Sequence, residues 1–378
     1  MTSDPKTAKR YMFGAGGTSG HINPAIAIAD HMRRQEPESE IMFCGLAGGL
    51  EQEMTERAGY AMQAIRAFGV PEQKRAGLHR FLVENTAGLM QSRKQIKAFQ
   101  PDVVISTGGY VGGPLVMAAL SLGVPVLLHE QNAYPGRANR FLAPYTKSVC
   151  ISFPESGKYF SRRTHLVLSG NPVAPIFFEV SREESRRKLG IPEDAFQILV
   201  LGGSLGAGSV SRAVIGLKGE PVWKRLKEER DVRLTVATGK EQAGSYLDDA
   251  NGVDGVTAVS YLHDVPHWMA AADLFIGRAG AMTCSELAAV GVPSVLVPYP
   301  HAANDHQTLN ALMMKHAGAA DVIPDAALSS AAMADVIFEL VRSPERLADM
   351  RQAAKRHAIH DALDIIYSEL RRVRKHGD

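Results

Sequence analysis

The feature that most constrains this sequence is a pattern that occurs twice: a short apolar run, a glycine-rich turn and then a helical stretch. The pattern begins at residues 11–17 and again at residues 198–204. Later segments of the two halves also correspond, 102–109 with 273–280 and 123–128 with 291–296. A strand that leads through a glycine turn into a helix is typical of a doubly wound α/β domain. The sequence therefore predicts two similar domains of this kind.

Short apolar runs alternate with longer helical patterns along the whole chain, which predicts parallel sheets covered by helices on both faces. The predicted strands are 11–15, 41–45, 103–106, 124–129, 198–201, 234–238, 274–277 and 294–297. The predicted fold class is thus α/β, with two Rossmann-like domains.

The domain boundary is predicted in the polar, proline-containing stretch between residues 153 and 197. We expect a first domain over 1–165, a second over 166–343 and a final amphipathic helix over 344–378. Composition alone assigns this helix to neither domain, and we expect it to pack back on the first.

Composition excludes several classes of protein. A net charge of +2 in 378 residues gives no reason to expect a nucleic-acid partner. Three widely separated cysteines in no C-x-x-C spacing argue against disulfides and a zinc site, and favour a reducing cytoplasm. No apolar segment reaches the length of a spanning helix or resembles a signal peptide, so we expect any membrane contact to be peripheral.

The first glycine turn, residues 14–21, brings two hydroxyls and His21 to the start of a helix. Backbone N–H groups at such a position can face an oxygen-rich ligand, although a tight turn without a ligand is the alternative. The turn is not G-x-G-x-x-G, and the second strand ends without an acidic residue, which disfavours a nicotinamide dinucleotide. His21 follows the first strand, where open sheets bind ligands, and is a candidate general base.

Two further turns in the second half carry candidate donor contacts. The turn at 202–208 places Ser204 at a helix start, where the helix dipole favours a diphosphate. The segment 277–286 places Glu286 inside a helix, where its carboxylate can accept hydrogen bonds from a ribose diol. A solvent-facing glutamate is the alternative. The polar loop 298–310 could recognise sugar hydroxyls, and we do not expect a metal there.

Taken together, these motifs resemble those of the MurG family, the UDP-N-acetylglucosamine:undecaprenyl-pyrophosphoryl-muramoylpentapeptide N-acetylglucosaminyltransferases. The resemblance spans nearly the whole chain and rests on seven segments: GGTSGHINPAIAIA (16–29), STGGYVGGP (106–114), HEQNAYPGRANRFLA (129–143), SGNPV (169–173), LGGSLGA (201–207), RAGAMTCSELAAVGVPSVLVPYP (278–300) and NDHQTLNA (304–311). It implies the GT-B architecture, in which two Rossmann-like domains face each other across a cleft, and it implies no cofactor.

The resemblance also implies roles for individual residues. On the donor side, Ser204 would contact the diphosphate, Glu286 the ribose and Gln307 the N-acetylglucosamine. The backbone of Leu262 would read the uracil edge, and other donor contacts would come from Ala281, Met282, Thr283, Cys284 and Ser285. The acceptor side and the reacting sugar would be lined by Thr18, Ser19, Gly20, His21 and Asn132. Two positions depart from the family pattern: Ala174 stands where an arginine is common, and Ser19 where a glycine is frequent.

The reaction implied by the resemblance transfers N-acetylglucosamine from UDP-N-acetylglucosamine, with inversion, to the C4 hydroxyl of undecaprenyl-diphospho-N-acetylmuramoyl-pentapeptide (lipid I). The product is lipid II, a precursor of peptidoglycan. The expected partners are these two substrates, an anionic membrane surface on the cytoplasmic side and other cell-wall synthesis proteins. Two alternatives are another GT-B enzyme that uses the same donor, such as an epimerase or glycolipid transferase, and a non-catalytic module that binds a sugar nucleotide.

The candidate membrane contact is the basic stretch 74–99, whose six lysines and arginines outnumber its single acid, Glu84. Apolar residues are interleaved with these cations at helical spacing. Such a helix can bind at an anionic membrane surface. The alternative is a Rossmann helix whose apolar stripe faces the core and whose charges face water.

Overall fold

The computed structural model describes residues 8–71, 77–202, 207–239 and 243–375. The chain divides into two compact units. The first unit runs to Val173 and includes the residues from Asp361 onward, while the second unit is Ala174–His360. The division falls beyond the predicted residue 165 because the last strand of the first sheet, Leu166–Leu168, still belongs to the first unit.

The first unit contains a seven-stranded parallel sheet in the order β3-β2-β1-β4-β5-β6-β7. Its strands are β1 (Arg10–Ala15), β2 (Glu40–Gly45), β3 (Ala61–Ala64), β4 (Val103–Gly108), β5 (Val126–Glu130), β6 (Ser148–Ile151) and β7 (Leu166–Leu168). Its helices are α1 (Ser19–Gln35), α2 (Leu50–Arg57), α3 (Leu78–Phe99), α4 (Gly112–Ser121), α5 (Arg137–Leu142) and α16 (Ala362–Lys375).

The second unit contains a six-stranded parallel sheet in the order β10-β9-β8-β11-β12-β13. Its strands are β8 (Phe196–Leu201), β9 (Val232–Ala237), β10 (Val256–Val259), β11 (Leu274–Gly277), β12 (Ser294–Leu296) and β13 (Ala320–Val322). Its helices are α6 (Ile176–Glu179), α7 (Arg182–Leu189), α8 (Gly208–Gly216), α9 (Pro221–Glu229), α10 (Ala243–Asn251), α11 (Val265–Ala271), α12 (Ala281–Val290), α13 (His306–His316), α14 (Ser330–Val341) and α15 (Pro344–His357).

Both sheets have the strand order of a Rossmann fold, and the predicted α/β class is confirmed. In each sheet the direction of winding reverses between two central strands, β1 and β4 in the first unit and β8 and β11 in the second. Loops that follow these strands at the reversal point form the crevice where open α/β sheets bind ligands. The glycine-rich turns that follow β1 and β11 lie at these two positions, whereas residues 203–206 of the turn that follows β8 are outside the described residues.

The prediction of a single final helix over 344–378 is wrong. The backbone leaves helical geometry at Ala358, and two helices result, α15 and α16 (Ala362–Lys375). Helix α15 packs in the second unit against α12. Helix α16 packs in the first unit, where its apolar residues Leu363, Ile366, Leu370 and Val373 join the core beneath β1.

Helix α16 is also held by a polar cluster around Glu36, at the end of α1. The Glu36 carboxylate accepts hydrogen bonds from Tyr11 at 2.7 Å and from Tyr367 at 3.0 Å. Arg374 of α16 pairs with the same carboxylate at 3.0 Å. These bonds hold the pKa of Glu36 below its usual range, although its burial acts in the opposite direction. The cluster therefore ties the end of the chain to its first strand and first helix.

Within the described ranges, no helix combines the length and the apolar character needed to cross a bilayer.

Candidate functional site

The first candidate site lies at the β1–α1 turn of the first unit. Thr18, Ser19 and Gly20 open α1 and are exposed or half-buried. The loop after β4 presses on this turn so closely that a Cβ at Gly109 would lie 2.0 Å from the Gly16 carbonyl oxygen. Gly109 has φ +78°, so both its conformation and the contact require glycine. The turn and the β4 loop therefore form one packed surface beside His21.

A buried carboxylate fills the inner side of the same turn. Glu51, in the first turn of α2, is 3% exposed and accepts a hydrogen bond from the Gly17 N–H at 2.6 Å. A Cβ at Gly16 would lie 2.3 Å from its Oε1 and 2.7 Å from Cγ2 of Val111, so a larger residue here would have to displace both side chains. This N–H, which the sequence suggested for a ligand, is satisfied by the chain itself. Sequence reasoning missed Glu51 because it lies in a different turn, 34 residues away.

His21 is half-buried, and its ring is fixed through one nitrogen. Nδ1 lies 3.0 Å from the carbonyl oxygen of Thr107 and 3.3 Å from Oε1 of Gln131. Both partners are acceptors when the Gln131 amide is placed in this way, so the neutral ring carries its proton on Nδ1. Nε2 then has a lone pair and can accept a proton. The Thr107 hydroxyl donates to the His21 carbonyl oxygen at 2.6 Å and fixes the backbone as well.

Asn132 lies next to Gln131, in the loop after β5, so the structure brings it to the same end of the sheet as His21. Its backbone N–H and side-chain amide both donate to Oε1 of Glu130, at 3.0 and 3.2 Å. Oε2 of Glu130 accepts from the Gly136 N–H and the Asn139 amide, each at 2.9 Å. Glu130 is 1% exposed. Its carboxylate is thus fully engaged in shaping the Asn132 loop, which makes it a poor candidate for the base.

The second candidate site surrounds α12 of the second unit. Ser204 lies outside the described residues, so the expected diphosphate contact stays a prediction.

Glu286 lies in the second turn of α12 and is half-buried. Burial raises the pKa of its carboxyl to about 7. Among the residues that the structure describes, no hydrogen bond or ion pair engages this carboxyl group. Such an acid is suited to receive ligand hydroxyls.

The other expected donor contacts lie on or beside α12. The side chains of Ala281, Met282 and Cys284 are buried, and burial raises the pKa of the Cys284 thiol to about 12. Thr283 and Ser285 are half-buried. Helix α12 packs against α11, which follows the loop of Leu262, and against α13, which begins beside Gln307.

Gln307 and Leu262 present different groups to a ligand. The side-chain oxygen of Gln307 accepts from the Tyr299 N–H at 2.9 Å, so its NH₂ group is the part suited to bind a sugar oxygen. Leu262 as a whole residue is 7% exposed, and the expected contact of its main chain with uracil stays a prediction.

Arg278 connects the loops of the second site, and sequence reasoning did not single it out. Its guanidinium donates to the carbonyl oxygens of Val297 and Pro298, both at 3.2 Å, and to the Ser209 hydroxyl at 2.9 Å. It also pairs with Asp325 at 2.5 Å. The loops after β11 and β12 and the start of α8 are therefore held together by the half-buried guanidinium of Arg278.

Comparisons with known proteins agree with the two-domain fold. The N-terminal domain of glycosyltransferase family 28 matches residues 11–151, and the C-terminal domain of that family matches residues 197–366. The fold and these domains define a two-domain glycosyltransferase of the GT-B class.

Individual relatives narrow the class. A protein of Moorella thermoacetica named "UDP-N-acetylglucosamine--N-acetylmuramyl-(pentapeptide) pyrophosphoryl-undecaprenol N-acetylglucosamine transferase" is 40% identical over 94% of this chain and 97% of its own length. An Acetivibrio thermocellus protein of the same name is 37% identical over 97% and 98%. The crystal structure of Acinetobacter baumannii MurG aligns at 27% identity with a TM-score of 0.74, covering 97% of this chain and all of that one. The chain belongs to the MurG family.

Proposed function

We propose that this chain transfers N-acetylglucosamine from UDP-N-acetylglucosamine to the C4 hydroxyl of lipid I and so forms lipid II. The observation that carries the proposal is the geometry of His21 at the reversal point of the first sheet. Its Nδ1 faces two oxygen acceptors, which leaves Nε2 as a base. A module that only binds a sugar nucleotide has no need of a base held in this way.

The proposed reaction is a single displacement. Nε2 of His21 accepts the proton of the acceptor hydroxyl, and the hydroxyl oxygen forms a bond to C1 of N-acetylglucosamine. The bond between C1 and the diphosphate oxygen breaks, and UDP departs with the electron pair. Because the attack is opposite the leaving group, an α-linked donor gives a β-linked product. Backbone N–H groups at the starts of α8 and α12 would stabilise the charge on the leaving diphosphate.

The proposed division of roles follows the two sites. Acceptor binding and proton transfer belong to the first unit, through Thr18, Ser19, Gly20, His21 and Asn132. Donor binding belongs to the second unit, through Ser204 at the diphosphate, Glu286 at the ribose, Gln307 at the sugar and the backbone of Leu262 at uracil. Residues 281–285 contribute further contacts, and the buried ones among them would do so through their backbone.

The decisive experiment measures UDP released from UDP-N-acetylglucosamine with and without a lipid-linked muramoyl-pentapeptide. We expect release only when the acceptor is present, together with a disaccharide product. UDP formed without acceptor would indicate an epimerase or hydrolase. Donor binding without any turnover would indicate a binding module and would contradict the proposal.

We also propose that the first unit contacts the inner surface of the membrane through α3. The buried positions of this helix are Gly88, Ser92 and Ile96, whereas several of its large apolar side chains are exposed. The most exposed are Leu78 at 51%, Leu82 at 56% and Met90 at 64%. These three side chains therefore do not face the core, as the alternative of an apolar stripe packed on the sheet requires.

Neighbouring elements also carry exposed apolar side chains, and charge supports a membrane as the partner. Helix α4 packs on α3, and α5 packs on α4; together with the turn after α5 they add exposed Met117, Phe141 and Tyr145. The only acid of the 74–99 stretch, Glu84, is paired with Arg66 at 2.7 Å. Arg80, Lys94 and Lys97 are exposed, while Lys74 and Arg75 lie outside the described residues. Each such cation near anionic lipid contributes about 1 kcal/mol, screened by salt.

Vesicle binding tests the membrane proposal. Arg80, Lys94 and Lys97 changed together to glutamine should reduce binding to vesicles that contain anionic lipid at low salt, while turnover of a short-chain, water-soluble acceptor is retained. The matched control changes three exposed cations of the second unit, Arg187, Lys218 and Lys224, to glutamine. Equal binding by the two triple variants would place the membrane surface elsewhere.

A further inference from the structure

Successive hydrogen bonds connect His21 through the buried side chain of Gln131 to the buried side chain of His129 in β5. His129, the fourth residue of β5, is fully buried, and Gln131, just after the strand, is 1% exposed. Neither takes part in the proposed reaction directly. The sequence separates Gln131 from His21 by 110 residues, and the sheet brings them within hydrogen-bonding distance.

The protonation of His129 is fixed by its surroundings. Burial lowers the pKa of its ring to about 4, so the ring is neutral near pH 7 and carries one proton. Nε2 lies 3.0 Å from the carbonyl oxygen of Gly170, which can only accept a hydrogen bond. The proton of His129 is therefore on Nε2, and Nδ1 is an acceptor.

The orientation of the Gln131 amide follows from that of His129. Its nitrogen lies 3.1 Å from the accepting Nδ1 of His129 and 3.4 Å from the carbonyl oxygen of the same residue. Both contacts require an N–H donor. The amide oxygen of Gln131 must then be the atom that faces Nδ1 of His21, at 3.3 Å. A reversed amide would place an N–H against His21 and an oxygen against the lone pair of His129.

We propose that His129 and Gln131 are positioning residues that hold His21 in the tautomer with its proton on Nδ1, so that Nε2 is the base. This proposal rests on the proposed role of His21. The carbonyl oxygen of Thr107, at 3.0 Å, supports the same tautomer, and the Gln131 oxygen holds the ring plane from a second direction. A base that is oriented by a third group is the arrangement that hydrolytic triads use with a carboxylate. In this chain a neutral amide, itself fixed by a neutral imidazole, has that position.

A double-mutant cycle on kcat is the first test. Gln131→Leu removes the amide and should lower kcat about tenfold, with the KM for UDP-N-acetylglucosamine unchanged. In a His21→Ala background, the same change should have no further effect on kcat, because Gln131 acts through His21. An equal loss of kcat in both backgrounds would show that Gln131 does not act through His21 and would overturn the proposal. If His21→Ala itself left kcat unchanged, the proposed base would be wrong. This result differs from the one that would overturn the positioning role of Gln131.

A matched pair of substitutions at His129 is the second test and guards against loss of folding. Asparagine at 129 keeps an acceptor at the position of Nδ1 and loses the donor to Gly170. Glutamine keeps the donor at the position of Nε2 and has no acceptor at that of Nδ1. If His129 positions Gln131, His129→Asn should retain more of the wild-type kcat than His129→Gln, with the donor KM equal in the two variants. The reverse order would show that His129 serves only to bond Gly170 and would overturn the proposal.

Discussion

The two units contain a similar element, a glycine-rich turn with a glutamate close to it, and they use the glutamate in opposite ways. In the first unit, Glu51 accepts from the Gly17 N–H at 2.6 Å and fills the turn from inside. In the second unit, Glu286 lies beyond the turn after β11, and burial raises the pKa of its carboxyl to about 7. No partner engages it among the described residues. One acid completes a loop, and the other is suited to complete a ligand site.

This difference explains how one fold, present twice, can divide a transfer reaction. The Gly17 N–H of the first turn is already bonded to the carboxylate of Glu51, so this turn is less suited to bind an external anion. The functional group that the first unit offers beside this turn is His21. In the proposed function, Glu286 of the second unit accepts hydrogen bonds from hydroxyls of the donor. A substitution in one unit should therefore affect only proton transfer and the first turn, or only donor binding. An effect on both would show that the two units share these roles.

The largest effect is expected at His21. His21→Ala should lower kcat by about 10² or more, because the acceptor hydroxyl loses its base in the transition state. Affinity for UDP should stay near that of the wild type, since the proposed donor contacts lie in the second unit. Steady-state kinetics combined with UDP titration checks both. A collapse of UDP affinity would make His21 a nucleotide-binding or structural residue.

The next effect concerns the stability of the first unit. Glu51→Ala leaves the Gly17 N–H without its charged partner and opens a space beneath the turn, which should lower the free energy of unfolding by about 1.5–3 kcal/mol. Glu51→Gln keeps the shape and an acceptor oxygen, so it should lose less. Denaturant unfolding of both variants measures the difference. Equal stability of Glu51→Ala and the wild type would show that the carboxylate does not hold the turn.

Glu286→Ala should mainly weaken donor binding, by about 1–3 kcal/mol, because ribose hydrogen bonds act in the ground state and the transition state alike. The expected signature is a raised donor KM with kcat little changed. An unchanged donor KM in this variant would refute the ribose assignment.

The smallest effect is a pH dependence of stability due to Glu286. The native state holds this proton up to about pH 7, whereas the unfolded chain releases it near 4.5. The resulting contribution to stability is complete below pH 4.5 and is lost as pH rises through 7. Full burial would make this loss about 2.5 kcal/mol, and because Glu286 is only half-buried we expect the wild type to lose about 1–2 kcal/mol between these values relative to Glu286→Gln. Parallel stability curves for the two proteins would mean that the carboxyl is not perturbed.

Much of the fold could be predicted from the sequence, because each predicted strand is a run of buried apolar residues. All eight predicted strands are present, with ends that differ by a few residues. The missed strands are β3, β6, β7, β10 and β13, each of only three or four residues. All but β6 are also partly exposed, so their apolar pattern is weak. The break between α15 and α16 was also missed, since the amphipathic pattern continues across it.

The candidate site was predictable only where its residues lie within one motif. Residues 18–21 and 281–286 are continuous in sequence, and the structure shows each group at a reversal point of a sheet. Glu51, Gln131 and Arg278 act through partners that lie far away in sequence, and no local pattern relates a glutamate in α2 to the N–H of Gly17. Such contacts follow from strand order, which brings the ends of distant strands together.

Calorimetric titration with UDP-N-acetylglucosamine at pH 7, in two buffers of different ionisation enthalpy, tests the division between the units most directly. Since donor hydroxyls would favour the ionised carboxylate of Glu286, the wild type should release about half a proton on binding. Glu286→Gln should bind about tenfold more weakly and release none. Glu51→Gln should bind and release like the wild type. Weakened binding in Glu51→Gln with unchanged binding and proton release in Glu286→Gln would contradict the account.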